Sequence, residues 1–174
     1  MMKIIALSDT HLTGPFPDEL LRIVKEADIV VHAGDFVTLA AYESLKGACK
    51  RLIAVHGNTD SAALREVLPE TYTFEASGVK FGVVHSGKNV TDVTNMRYLA
   101  LEMGVGVLIF GHLHRPIIDR SDVLLVCPGS PTKPRMSDPC VVELTLDEGS
   151  VVSGKIINVT SGDPCGYIQF ARSL

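Results

Sequence analysis

The chain has 174 residues, a length expected of one ordinary domain spanning residues 1–174. With 46% hydrophobic and 21% charged residues, it holds enough apolar material for a sizeable core. Its formal net charge of -4 and the lack of any Lys/Arg block argue against extended nucleic-acid binding.

Residues 3–8 read as a buried strand. The apolar run is short and ends on Asp9, so it is expected to be a strand and not a signal peptide. No stretch approaches the roughly 20 apolar residues that cross a bilayer, so no membrane association is expected and the expected location is cytoplasmic. Residues 18–27 place Leu20, Leu21, Val24 and Ala27 at helical spacing. A strand is expected at 28–33, a helix at 39–49 with Thr38 as its cap, and a strand at 51–55. A short helix over 62–68 stops at Pro69. Residues 71–76 and 79–85 flank Ser77-Gly78 as a hairpin. A helix over 93–103 closes at Gly104, and 105–110 is a continuous apolar strand.

The last third changes character. Segments 116–120 and 123–127 form a hairpin around Ser121-Asp122, and 140–146 and 151–159 form another turning at Glu148-Gly149. Residues 167–170 read as a final edge strand. Strand–helix alternation followed by antiparallel strands predicts a layered α/β domain with two sheets and helices outside. The cysteines Cys49, Cys127, Cys140 and Cys165 are scattered without a C-x-x-C pair, which predicts reduced thiols and no zinc finger.

The informative pattern lies where apolar runs end. Ile4–Leu7 leads into Asp9-Thr10-His11, and 29–31 into His32-Ala33-Gly34-Asp35. Residues 52–55 lead into His56-Gly57-Asn58, 81–84 into His85, and 107–110 into Gly111-His112-Leu113-His114. If these strands lie side by side in an open sheet, their five tips converge on the crevice at its carboxyl edge. The imidazoles of His112 and His114, two residues apart, are expected to project to one side of an extended segment. Two Asp, one Asn and four His suit borderline divalent ions better than an all-oxygen Ca or Mg cage. Seven donors exceed one four-coordinate site with an open position. They fit two ions sharing a bridging carboxylate, a device that clamps both oxygens of an in-line displacement at phosphorus.

These blocks resemble those of the calcineurin-like metallophosphoesterases: D-x-H at Asp9-Thr10-His11, G-D at Gly34-Asp35, G-N at Gly57-Asn58, the lone His85, and G-H-x-H at Gly111-His112-Leu113-His114. More narrowly, the chain resembles the small single-domain prokaryotic phosphodiesterases, since residues 127–135 are similar to their N-P-G-S-x-T-x-P-R block. The resemblance implies a four-layer α/β/β/α sandwich of two mixed sheets flanked by helices. It implies that Asp9, His11 and His114 hold one metal, that Asp35 bridges, and that Asn58, His85 and His112 complete the second. Asp35, Asn58 and His85 carry the catalytic assignment, and attack on phosphorus is expected from a metal-bound water or hydroxide. The expected cofactors are two divalent ions, manganese first, with Ni, Fe, Co or Zn as alternatives. The expected partner is a small phosphodiester substrate, and a homodimer is compatible with the composition.

Two departures stand out. Where many members carry G-N-H-D/E, Thr59 replaces a histidine that serves as general acid, and a threonine hydroxyl is far too weak an acid for that role. Thr38 replaces the second Asp of the longer G-D-x-x-D motif. Asp60 is expected to cap the helix that follows it. His32 and His56 read equally as partners of the ligands or as packed strand histidines. Arg135, among Pro128, Pro131 and Pro134, reads as tying down its own loop, and Lys88 and Asn89 as cleft candidates. The alternatives to a phosphodiesterase are a non-catalytic interaction scaffold of the same fold, and a phosphomonoesterase or nuclease using the same metals.

Overall fold

The computed structural model describes residues 1–86 and 93–169. In chain order the elements are β1 (Met2–Leu7), α1 (Asp18–Lys25), β2 (Ile29–His32), α2 (Leu39–Ala48), β3 (Leu52–Ala54), α3 (Ala62–Val67), β4 (Thr71–Ala76), β5 (Val79–Val84), α4 (Val93–Met103), β6 (Val107–Phe110), β7 (Pro116–Arg120), β8 (Leu124–Pro128), β9 (Cys140–Asp147), β10 (Ser150–Asn158) and β11 (Pro164–Gln169). One six-stranded sheet has the order β11-β10-β9-β1-β2-β3, and one five-stranded sheet the order β4-β5-β6-β8-β7. Strands β1, β2 and β3 run parallel, as do β5, β6 and β8, while the hairpins add antiparallel strands, so both sheets are mixed.

The apolar runs explain the layers. β1, β2 and β6 bury both faces, as strands covered on two sides must. Ile4, Val31, Phe81, Ile109 and Val142 fill the space between the sheets. On the outer face of the six-stranded sheet, Leu20 and Val24 of α1, Leu45 of α2 and Leu64 of α3 pack against Ile5, Leu7 and Val30. Met96 and Ala100 of α4 cover Leu108, Phe110 and Leu125 of the other sheet. The result is the expected α/β/β/α sandwich.

Local chemistry sets the boundaries. Ser77 and Gly78, and Glu148 and Gly149, all have positive φ, the two-residue turn that matches strand twist. Thr38 caps α2, accepting from the Ala41 amide at 3.3 Å, as expected. β6 starts two residues later than expected, because the Val105 amide bonds back to Ala100 O in the turn after α4. The edge strand expected near 167–170 is β11, which begins earlier, at Pro164; Phe170 lies outside the described residues. Among the described residues no helix is long and apolar enough to cross a membrane, and all four cysteines are free thiols.

One expectation needs correction. The five strands whose tips carry donor residues do not lie side by side in one sheet. β1, β2 and β3 belong to the first sheet, and β5 and β6 to the second. Their carboxyl ends still meet, because hydrogen bonds join the sheets there. His112 N donates to Asp9 Oδ2 at 2.9 Å, and the His85 ring meets Ala33 O at 2.8 Å.

Candidate metal centre

The seven donor residues sit on the loops that leave these strands, and the loops are strained. Asp9, His11, Asp35, His112 and His114 have φ of 53°, 46°, 64°, 75° and 57°, in the left-handed region. Such conformations cost on the order of 1–3 kcal/mol each in non-glycine residues and persist where surrounding structure enforces them. Neighbouring glycines make room. A Cβ on Gly57 would collide with Asp35 Oδ1, and one on Gly111 would sit 2.7 Å from Ala33 O.

Asp9 is fully buried, Asp35, His85 and His114 are nearly so, His11 is half-buried, and Asn58 and His112 are exposed. Asp9 Oδ1 lies 3.4 Å from His114 Nε2, 3.9 Å from His85 Nε2 and 4.0 Å from His11 Nε2. Asp35 Oδ2 lies 3.3 Å from His85 Nε2 and 3.5 Å from His11 Nε2. Asn58 Oδ1 is 3.0 Å from His85 Nε2. Two groups have ligand atoms within 4.8 Å of one another: Asp9, His11 and His114, and Asp9, Asp35 and His85. Asp35 Oδ2 thus stands between one imidazole of each expected ligand set, and Asp9 also reaches both.

The donor set fits divalent cations by a direct test. Among the described residues, Asp9 Oδ1 is a buried oxygen with no hydrogen-bond donor, while Oδ2 accepts from Ser8 Oγ at 2.7 Å and from the His112 amide. A buried acceptor without a donor is costly unless a cation compensates it. The imidazoles agree. His85 Nδ1 bonds to Ala33 O at 2.8 Å and His114 Nδ1 to Lys133 O at 2.6 Å. A carbonyl only accepts, so each Nδ1 carries a proton, which leaves each Nε2 as the atom that would offer its lone pair to a cation, the tautomer of metal-bound histidine.

Electrostatics separate the two carboxylates. Burial raises the Asp9 pKa, opposed by His85 and the Ser8 hydroxyl. Burial would raise Asp35 too, but the His85 hydrogen bond and charge, with the Thr59 amide, hold it well below the usual carboxylate range. Burial also lowers His11, whereas His85, despite its burial, is raised by Asp35 and Asp9.

His112 and His114 do not lie on an extended segment. Both have left-handed backbone, so the alternation of an extended segment fails. The His114 ring stacks on His11 with centroids 5.0 Å apart, and the His112 ring meets His85 edge-on at 5.4 Å. Asp60 is not the helix cap. Ser61 caps α3, accepting from Leu64 N at 3.4 Å, and the Asp60 carboxylate instead accepts from the amides of Asp35, Val37 and Gly57. His32 is packed in the core, stacked on Phe36 with centroids 3.5 Å apart, and bonds Thr10 Oγ1 and Gly34 N. His56 instead lines an open pocket of about 140 Å³ beside Asn58 and His85, with Arg65 and Glu70 on its wall. The Arg135 amide donates to His114 O at 2.9 Å, and the residue is exposed. Lys88 and Asn89 lie outside the described residues.

Sequence reasoning missed the supports. Ser130 Oγ donates to Asp9 O at 2.7 Å and accepts from Lys133 N at 2.8 Å. Arg65 holds Asn58 O at 2.7 Å and Asp60 O at 3.1 Å. The proline-rich block around residues 127–135 signalled Ser130. Nothing local signalled Arg65, an exposed helix residue.

A two-sheet sandwich with a buried Asp/His cluster at the joined strand ends defines a metal-binding protein of the phosphoesterase type. The chain belongs to the calcineurin-like phosphoesterase superfamily, whose domain matches residues 2–149. It is similar to a protein of Methanothermobacter thermautotrophicus named a probable metallophosphoesterase, 33% identical over 98% of this chain and 100% of that one. A protein named phosphodiesterase from Methanocaldococcus jannaschii is 27% identical, covering 74% of this chain and 83% of its own. Among solved structures, Vps29 of Entamoeba histolytica complexed with zinc matches with a TM-score of 0.82 at 19% identity, covering 98% of this chain and 100% of that one; this is a likeness of fold alone.

Proposed function

We propose that this protein is a phosphodiesterase dependent on two divalent ions, manganese foremost, held by Asp9, His11, Asp35, Asn58, His85, His112 and His114. The observation that carries the reading is the clustering of Asp9, His11, Asp35, His85 and His114 at the buried, donor-free oxygen of Asp9, with Asn58 against His85. Two ions there would acidify a water molecule and neutralise charge developing on the phosphoryl oxygens. The chain's own residues supply the rest. Ala33 O and Lys133 O hold two imidazoles in the ligating tautomer, and Asp35 Oδ2 lies within reach of both ligand sets. Asn58 contributes an uncharged carbonyl, which keeps the net charge of the centre positive towards an anionic ester.

Thr59 offers no acid for the leaving group, which favours small diesters with good leaving groups over alkyl monoesters. The net charge of -4 disfavours long polynucleotides. The alternatives are a non-catalytic scaffold of the same fold, and a phosphomonoesterase or nuclease using the same metals. The test is reconstitution with Mn, Ni, Fe, Co or Zn, metal counting by mass spectrometry, and assay against bis-p-nitrophenyl phosphate, p-nitrophenyl phosphate and 2′,3′-cyclic nucleotides. Two equivalents of metal and preferential diester cleavage are expected. Protein that stays metal-free and inert with every ion would favour the scaffold.

A further inference from the structure

The Asp60 carboxylate accepts three main-chain amides at once: Gly57 N at 2.7 Å and Asp35 N at 3.1 Å on Oδ2, and Val37 N at 2.6 Å on Oδ1. Asp60 is buried, and its partners come from two loops, the one after β2 and the one after β3. Two of the three amides belong to Asp35 and Val37, with φ of 64° and 87°. For a β-branched valine that is an outlier which something must enforce. Three amides converging on one carboxylate are charge-assisted donors, stronger than neutral pairs.

The same contact aims the ligand. With the loops joined, Thr59 N donates to Asp35 Oδ1 at 2.9 Å, which leaves Oδ2 directed at His85 and His11. Arg65 fastens the far side through Asn58 O and Asp60 O. The Asp9, His11 and His114 group has supports of its own: Ser8 and Ser130 hold Asp9 and Lys133 O holds the His114 ring, while only the Asp9 and His11 amides tie it to Gly34 O and Asp35 O of the clasped loop.

We propose that Asp60 is a positioning residue that clasps the Asp35 and Asn58 loops together and so sets occupancy of one metal position selectively: the one formed by Asn58, His85 and His112 with Asp35. It touches neither substrate nor the ligand side chains. This rests on the two-ion reading above.

The test is calorimetric Mn²⁺ titration of the wild type, Asp60→Asn and Asp60→Ala, with Mn²⁺ electron paramagnetic resonance. Wild type is expected to take up two equivalents and give an exchange-coupled signal. Asp60→Asn keeps the size of the side chain but turns an NH₂ towards amide donors. It is expected to keep the first equivalent within a few-fold and to weaken the second by about 10–100-fold, the usual effect of losing a ligand's hydrogen-bonding partner. Its spectrum at one equivalent should show the six lines of isolated Mn²⁺. Asp60→Ala should show the same selectivity, more strongly. Asp60→Asn with both affinities unchanged, or with both reduced alike, overturns the proposal. Uptake of a single equivalent by the wild type overturns the two-ion reading, and this inference with it, before any variant is compared.

Discussion

The Nε2 atoms of His11 and His114 stand 3.3 Å apart, their rings stacked. The His114 Nδ1 proton is committed to Lys133 O, and Thr59 Oγ1 lies 3.5 Å from His11 Nδ1. With the His114 Nε2 lone pair turned towards His11 and the donor-free Asp9 Oδ1 beside both rings, the three side chains form a cluster that a cation would hold together.

Divalent metal should therefore stabilise the fold. Binding to the native state alone adds RT ln(1 + [L]/Kd), about 2.7 kcal/mol per site at one hundred times Kd. In a domain of this size that is a rise in Tm of roughly 5–10 °C. Calorimetric scans with Mn²⁺ and with chelator check it, and His114→Gln should lose about half the shift. Identical melting in both buffers would contradict the metal centre.

Asp35→Asn should cut kcat/KM for bis-p-nitrophenyl phosphate by at least about 100-fold, the upper end of what losing even a ligand's outer partner costs. Circular dichroism should be unchanged, because Thr59 N and the Asp60 contacts can persist. Near-wild-type activity would remove Asp35 from the metal bridge.

Thr59 divides the substrate classes. Wild type should favour the p-nitrophenyl diester over an alkyl monoester, and Thr59→His should raise alkyl monoester turnover by about tenfold or more, since a positioned acid contributes roughly 10²–10⁴. Steady-state rates on both substrates decide it. A wild type that cleaves alkyl monoesters faster refutes the idea.

Ser130→Ala strips the Asp9 carbonyl and the Thr132 and Lys133 amides of a partner. Urea unfolding should show a loss of about 1–3 kcal/mol, the cost of leaving a buried group unsatisfied. The first metal position should weaken more than the second, the converse of the Asp60 variants. Equal weakening would mean that the clamp does not discriminate between them.

His32 predicts a pH dependence. Burial, its largest cause, lowers the His32 pKa well below the usual value, so the folded state holds it neutral. Below the unfolded pKa of about 6.5 the unfolded chain binds a proton that the folded one does not, and stability falls by up to about 1.4 kcal/mol per pH unit. His85 is raised and acts in the opposite sense, so the two must be separated. The Tm advantage of metal-free wild type over His32→Gln should shrink between pH 7.5 and 5.5. A constant difference would show that His32 does not titrate in this way.

Element type and the donor residues were legible because both are local. Helical spacing over Leu20 and Val24, the Ser77-Gly78 turn and the runs ending at Asp9, Asp35, Asn58, His85 and His112 lie within a few residues of the chain. The same local reading failed for Asp60, whose nearest pattern was a helix start, because its acceptor role serves Asp35, 25 residues away. It also missed that His112 and His114 have left-handed backbone in place of an extended segment.

The sequence by itself determined that seven metal-capable side chains sit at strand ends, because a side chain's place at a strand terminus follows from periodicity alone. Only the tertiary structure decided that these ends belong to two facing sheets. It also decided which oxygen of Asp9 is left without a donor, and that Asp60 and Ser130 hold the ligands. Ser130 and Asp9 are 121 residues apart, and such a contact exists only after the chain has closed on itself.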